Sequence, residues 1–133
     1  MTQRTVQPPP AQDQGQHPLD VETMRKGARR LLAADVEPPT AAAELRLLTA
    51  QLRGHVAAAA PDVETLALAL PEEDVPRACA LACVGEARQR FHQQPDDTLD
   101  ARLALAQGLA HVVNALADHY ENLGGGDRDG VSG

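Results

Sequence analysis

The sequence predicts an all-α protein: a four- to five-helix antiparallel bundle with disordered N- and C-terminal tails. Apolar residues make up 43% of the 133-residue chain but aromatic residues only 2%, and this Ala- and Leu-rich composition favours helices over strands. Apolar residues recur at helical spacing in several segments, and prolines separate these segments. The connections between segments are short, which favours antiparallel neighbours.

Composition also excludes some functions. The net charge of −7 makes this an acidic protein and argues against general nucleic-acid binding, because phosphate contacts require a basic surface. The scarcity of aromatic residues removes the stacking platforms of single-strand binders. Without 18 consecutive apolar residues or an apolar N-terminal segment, the sequence predicts no membrane span and no signal peptide. We therefore expect a cytoplasmic protein that does not associate with membranes.

The chain divides into three parts. Residues 1–19 are rich in Gln and Pro and are predicted to be a disordered arm, residues 20–123 a helical bundle domain, and residues 124–133 a flexible Gly-rich tail. The longest helical pattern runs from Asp97, its expected cap, to Leu123. Its apolar face covers about half of the helix circumference and must be buried against other helices. That face comprises Leu99, Leu103, Ala106, Leu109, Ala110, Val113, Leu116, Ala117, Tyr120 and Leu123.

A double proline separates the first two predicted helices. Asp20 is a suitable cap for the first helix, because its carboxylate accepts the free amide hydrogens of the first turn. The prolines at 38–39 end this helix and form a hinge, so we expect residues 20–35 to dock loosely. Thr40 is the corresponding cap for the second helix, which is predicted to reach about Ala60.

The middle of the chain contains two further helical segments. Pro61 is predicted either to kink the second helix or to open a short third one. Asp74 is the expected cap of the next helix, with Pro76 in its first turn. From Ala78 to Gly85 this helix is apolar all round, which predicts that it is the buried centre of the bundle.

The candidate chemical groups of this apolar helix are two cysteines and a glutamate. Cys79 and Cys83 lie one turn apart with Glu86 nearby, but no further ligand completes a metal site, and free Cys usually packs as a small apolar group. We therefore predict no metal, no cofactor and no catalytic residue. Glu86 falls on an apolar arc, so we expect a buried carboxylate that is paired with Arg90, Arg53 or Arg77. His55, at the edge of the second helix's apolar stripe, is the other candidate buried polar residue.

Two polar surfaces are candidates for binding a partner, although each is also typical of a solvated helix face. One is the basic back of the first helix, formed by Arg25, Lys26, Arg29 and Arg30. The other is a strip along the last helix, formed by Gln107, His111, Asn114 and Asp118. A homodimer is a further expectation, because a thin Ala-rich core leaves apolar arcs wider than one small bundle covers.

Five short strings between residues 45 and 123 are distinctive in combination: Leu52-Arg53-Gly54-His55, Pro61-Asp62-Val63-Glu64, Asp74-Val75-Pro76-Arg77-Ala78, Gly85-Glu86-Ala87-Arg88 and Asp118-His119-Tyr120-Glu121-Asn122-Leu123. In these strings the chain resembles an uncharacterised family of small proteins from antibiotic-producing, high-GC bacteria that is associated with natural-product biosynthesis. The resemblance implies a cytoplasmic location and a biosynthetic or regulatory setting, and it implies no catalytic residue.

These observations predict a non-catalytic accessory or regulatory protein-interaction module in natural-product biosynthesis. The first alternative is a small-molecule-binding protein or enzyme with a pocket between helices near Glu86 and His55. The second alternative is a transcriptional accessory that uses the basic first helix. The net charge of the protein argues against nucleic acid as its partner. A deep cavity that holds Glu86 and His55 together would favour the first alternative.

Overall fold

The structure, a computed structural model, describes residues 19–33, 37, 39 and 41–124. This part of the chain contains helices and no strand, which confirms the predicted all-α bundle. None of these helices has an apolar stretch long enough to cross a membrane. The predicted tails fall almost wholly outside the described residues. The helices are α1 (Val21–Leu32), α2 (Ala42–Leu68), α3 (Val75–Phe91) and α4 (Leu99–Asn122).

The centre of the bundle is the pair α2 and α4. Each of these two helices packs against all of the others, whereas α1 and α3 share no contact with each other in the described part of the chain. The largest fully buried side chains all come from the central pair, so α1 and α3 lie outside it. These side chains are Leu45, Leu52, Val56, Val63, Leu109, Val113 and Leu116.

The prediction that α3 is the buried centre is wrong. Only one side of α3 is buried, through Ala80, Val84 and Ala87. A helix that lies beside a central pair is covered on one side only. Alanine and glycine are compatible with both a buried and an exposed face, so the apolar pattern did not distinguish the two. The exposed residues of this segment are Ala78, Cys79, Ala82 and Gly85.

α2 continues through Pro61 as one helix of 27 residues. Proline lacks the N–H that would extend the helical hydrogen bonds, and it usually kinks or ends a helix. Here the exposed Pro61 is flanked by residues packed in the core, and this packing holds both halves in one helix. The predicted alternative of a separate short helix is therefore wrong. The flanking core residues are Ala59, Ala60, Val63 and Ala67.

α1 packs against the central pair by its apolar face, and the loose docking of residues 20–35 stays a prediction. Asp20 caps this helix as predicted, with its Oδ1 accepting a hydrogen bond of 3.1 Å from the Thr23 amide. Just before the cap, the Leu19 amide donates to the Tyr120 hydroxyl of α4 at 3.1 Å. Three residues of the α1 face are buried in the common core: Met24, Ala28 and Leu31.

Thr98 caps the first turn of α4. The sequence predicted Asp97 as this cap, and that prediction is wrong. The Thr98 hydroxyl accepts a hydrogen bond of 3.1 Å from the Ala101 amide. The Asp97 carboxylate instead accepts one of 2.9 Å from Arg102. Asp and Thr are both good caps, so the residue that stands directly before the first helical residue becomes the cap. At the other end Gly124, with φ of 90°, ends the helix as predicted.

Among the described residues, no side chain caps the start of α2 or of α3 with a hydrogen bond. The N-cap of α2 is Ala41, and the predicted cap Thr40 lies outside the described residues. Asp74 occupies the N-cap position of α3 as predicted, but its side chain accepts no capping hydrogen bond from the described residues. Pro76 lies in the first turn, where its missing N–H is not needed.

Candidate functional site

The basic cluster of α1 serves largely to dock this helix. Arg25 Nη2 lies 2.9 Å from Asp118 Oδ1 and 2.7 Å from Glu121 Oε1, both on α4. Arg30 forms an ion pair with Glu44 at the start of α2. The two arginines thus tie the outer helix to both members of the central pair.

The remaining two members of the cluster, Lys26 and Arg29, are exposed. The acidic partners of Arg25 and Arg30 offset the charge of the predicted basic surface. A DNA-binding helix presents unopposed cations to phosphates. The geometry of α1 therefore gives little support to a transcriptional accessory.

The polar strip of α4 and the basic cluster of α1 are in contact with each other. Asp118 is the strip residue that Arg25 binds. Gln107 and Asn114 are half-buried, and His111 is exposed. The two surfaces that the sequence suggested as separate contact sites are therefore partly engaged with each other.

A shallow depression between α3 and α4 brings Cys79, Cys83, Glu86 and His111 together. Cys79 is exposed, whereas Cys83 is buried. Burial raises the pKa of the Cys83 thiol to about 11, with a smaller contribution from the charge of Glu86. A thiol with so high a pKa is a poor nucleophile and a poor metal ligand at neutral pH. Among the described residues, no group of three His, Cys, Asp or Glu side chains is arranged to hold a metal ion.

Glu86 is not the buried carboxylate that the sequence predicted. Its side chain is 54% exposed, and Arg90 Nε donates to Glu86 Oε2 at 3.1 Å across one helical turn. The prediction was wrong because it assumed that α3 is covered on all sides. Arg90 also lies against Gly108 of α4, so closely that a side chain at Gly108 would displace its guanidinium.

His55 lies on the other side of the molecule from Glu86. It is half-buried in a shallow depression between α1 and α2, beside Lys26 and Leu48. Burial lowers the pKa of His55, and the nearby charge of Asp20 opposes this shift in part. The predicted pocket that holds Glu86 and His55 together is therefore absent from the described part of the molecule.

A more enclosed groove, which no sequence pattern indicated, lies between α2 and the connection from α3 to α4. We call it the arginine groove, and its volume is about 400 Å³. It is lined by Arg46, Arg53, Arg102, Asp97, Leu45, Leu105, Thr49, Ala50, Gln94 and Pro95. On a helical wheel Arg46 and Arg53 face away from the apolar stripe of α2, and Arg102 matches no motif. Arg53 was a possible partner of Glu86, but Glu86 is paired with Arg90.

Arg53 holds the end of α3 against α2. Its Nε donates to the Phe91 carbonyl at 3.2 Å and its Nη2 to the Gln93 carbonyl at 2.6 Å. The last carbonyls of a helix have no partner within the helix, and basic side chains are suitable donors for them. This contact fixes the α3–α4 connection that forms one wall of the arginine groove.

The comparisons with known proteins address the family and not the activity. No curated protein and no solved structure matches the chain. One family model matches residues 22–125, which include all four helices except Val21, the first residue of α1. The chain therefore belongs to DUF6415, a family of unknown function.

Proposed function

We propose that this protein is a non-catalytic protein-interaction module with an accessory or regulatory role in natural-product biosynthesis. The observation that carries the interaction role is the uncovered side of α3. An exposed stripe of apolar and small residues runs along this side at spacings of three and four, and we call it the α3 face. It consists of Val75, Ala78, Cys79, Ala82 and Gly85.

The α3 face has the properties of a helix-docking surface. Val75 is 69% exposed at one end, and the stripe from Ala78 to Gly85 carries no long side chain to keep another helix at a distance. Glu86 follows on the same face and is ion-paired with Arg90. Interaxial distances between packed helices depend on the side chains at the contact, and small residues permit the closest approach. A helix docked here would turn α3 into the buried element that its apolar pattern indicates.

The occupant of the α3 face is the same face of a second copy. In an antiparallel pairing about Ala82, the bulky Val75 end of one helix meets the small Gly85 end of the other. A twofold contact requires such self-complementarity of shape.

The variant Gly85→Arg tests this contact. A side chain at Gly85 meets no described atom within 4 Å, and arginine favours a helix more than glycine does, so the monomer fold is retained. The matched control is Gly54→Arg on α2, where the added side chain also has open space. The measurement is molar mass by light scattering over a range of protein concentrations.

We expect a dimer for the wild type and for Gly54→Arg, and a monomer for Gly85→Arg. A wild type that remains monomeric at every concentration would overturn the proposed contact. A Gly85→Arg protein that still dimerises would show that a different surface is used.

The biosynthetic setting is supported by the resemblance to proteins associated with natural-product pathways. It is tested by deleting the gene in its host and profiling the secreted metabolites by mass spectrometry. We expect a secondary metabolite to be lost or reduced, and to be restored by the wild type and Gly54→Arg but not by Gly85→Arg. An unchanged profile after deletion would contradict the setting without affecting the dimer contact.

A further inference from the structure

We propose that the arginine groove binds a small organic anion, with a carboxylate or phosphate head and a short apolar body. The groove lies between α2 and the α3–α4 connection, whereas the α3 face is on the uncovered side of α3. Ligand binding in the groove is therefore a function in addition to self-association.

The charge in the groove is opposite in sign to that of the whole protein. The chain has 19 acidic and 12 basic side chains. Three arginines nevertheless line this groove, and Asp97 is the single carboxylate among its lining residues. A cleft with one sign of charge concentrates ligands of the opposite sign.

The groove contains guanidinium donors without an acceptor. Arg102 Nη2 binds Asp97, but Arg102 Nε is buried and has no hydrogen-bond partner in the described structure. Leaving a buried donor without a partner is costly. Arg46 makes no hydrogen bond or ion pair with any described residue, whereas Arg53 is held in place by the carbonyls at the end of α3.

An oxyanion suits the accessible guanidinium groups of Arg46 and Arg102, although Arg102 Nε itself is enclosed and does not contact a ligand in the groove. Carboxylate and phosphate oxygens accept the paired N–H groups of guanidinium in a fixed geometry, and such charge-assisted hydrogen bonds are about twice as strong as neutral ones. Arg46 and Arg102 belong to different helices, so one anion between them would be bound from two sides.

The floor of the groove recognises the rest of the ligand. Leu45 and Leu105 lie beneath the groove and are only 1% and 7% exposed, so the more exposed Ala50 and Pro95 supply its accessible apolar surface. The volume of about 400 Å³ lies within the range of small-molecule sites. An inorganic ion would leave this apolar surface exposed to water, which favours an anion with an apolar body.

The test is an NMR titration of the isotope-labelled full chain with three probes of similar size. Phenyl phosphate and benzoate carry the two anionic heads on one apolar ring, and benzyl alcohol is their neutral counterpart. The variants are Arg46→Gln and Arg102→Gln. The control is Arg88→Gln, which removes an equal charge from an arginine outside the groove that is bound to Glu64.

We expect saturable shifts of the Thr49, Ala50 and Leu105 amides with at least one anionic probe, at a Kd near or below about 1 mM. Arg46→Gln and Arg102→Gln should each weaken binding at least about tenfold, and Arg88→Gln less than about twofold. Binding of phenyl phosphate alone would assign a phosphate head, and binding of benzoate alone a carboxylate head.

Three results would overturn the proposal. The first is the absence of saturable shifts with both anions. The second is equal binding of benzyl alcohol, since the groove would then not recognise charge. The third is an equal loss of affinity in Arg88→Gln and Arg46→Gln, which would indicate a general charge effect. Arg46 is exposed and makes no described contact, so Arg46→Gln remains informative even if Arg102→Gln fails to fold.

Discussion

Arg25 Nη2 of α1 lies 2.9 Å from Asp118 Oδ1 of α4, and each of these residues belongs to a surface that the sequence marked as a contact site. The ion pair, which Glu121 extends, uses part of both surfaces inside one molecule. Charged residues on an amphipathic helix therefore serve here to orient that helix on its own bundle.

The ion pairs of Arg25 are exposed and should contribute little to stability. The Arg25 and Asp118 side chains are 38% and 60% exposed, and exposed pairs contribute at most about 1 kcal/mol. We expect Arg25→Gln to lower the free energy of unfolding by no more than this amount at low salt. In 1 M NaCl the difference should almost vanish. Urea unfolding at the two salt concentrations measures it, and a salt-independent loss would contradict this account.

The contact between Arg53 and the end of α3 should contribute more. Arg53→Ala removes two hydrogen bonds to the Phe91 and Gln93 carbonyls, and hydrogen bonds to charged groups contribute about 1.5–3 kcal/mol each. Partial exposure of Arg53 reduces this contribution. We therefore expect Arg53→Ala to lower the free energy of unfolding by roughly 1–3 kcal/mol, measured by urea unfolding. Arg46→Ala, two turns earlier on α2, is the matched control and should change stability by less than about 0.5 kcal/mol. Equal effects of the two variants would exclude the role assigned to Arg53.

His55 should make the fold less stable in mild acid. Burial lowers the pKa of His55 in the folded protein below its usual value of 6.5, so the unfolded chain binds the proton more readily. Stability is therefore fully present above this value and declines as the pH falls from there towards the lowered pKa. We expect the free energy of unfolding to fall less steeply in His55→Gln than in the wild type over this interval. A steeper fall in the variant would show that the charge of Asp20 outweighs burial.

The two cysteines should differ in reactivity with iodoacetamide. Cys79 is exposed, whereas Cys83 is buried and its pKa is raised to about 11. The thiolate is the reactive form, so we expect Cys79 to be alkylated at least about tenfold faster in the folded Gly85→Arg monomer, where no second copy covers the α3 face. Peptide mass spectrometry gives both rates. In Cys79→Ala, Cys83 should stay unmodified until urea is added, and rapid native alkylation would contradict its burial.

Helix patterns along the chain predicted most of the fold. The apolar faces of α1 and α4, the cap at Asp20 and the stop at Gly124 all follow from local rules of spacing and capping. The continuity of α2 through Pro61 does not, because packing on both sides of the proline outweighs its local effect. The choice of Thr98 over Asp97 as a cap depends on a shift of one residue, which local preference does not resolve.

The candidate site was much less predictable. The interpretation of Glu86 as buried rested on the assumption that an all-apolar segment lies at the centre of the bundle. Which helices form the central pair is a property of the whole assembly. The arginine groove combines Arg46 with Arg102, two residues far apart in the sequence, and no spacing rule connects them.

The hydrogen bond from Leu19 to Tyr120 spans 101 residues and has a consequence for synthesis on the ribosome. The first helix leaves the exit tunnel long before α4, which is needed to cover it. During that interval Met24, Ala28 and Leu31 have no complete surface against which to pack. Closing so long a loop is also a late event in folding. The nascent chain thus exposes an apolar stripe until the last helix is made.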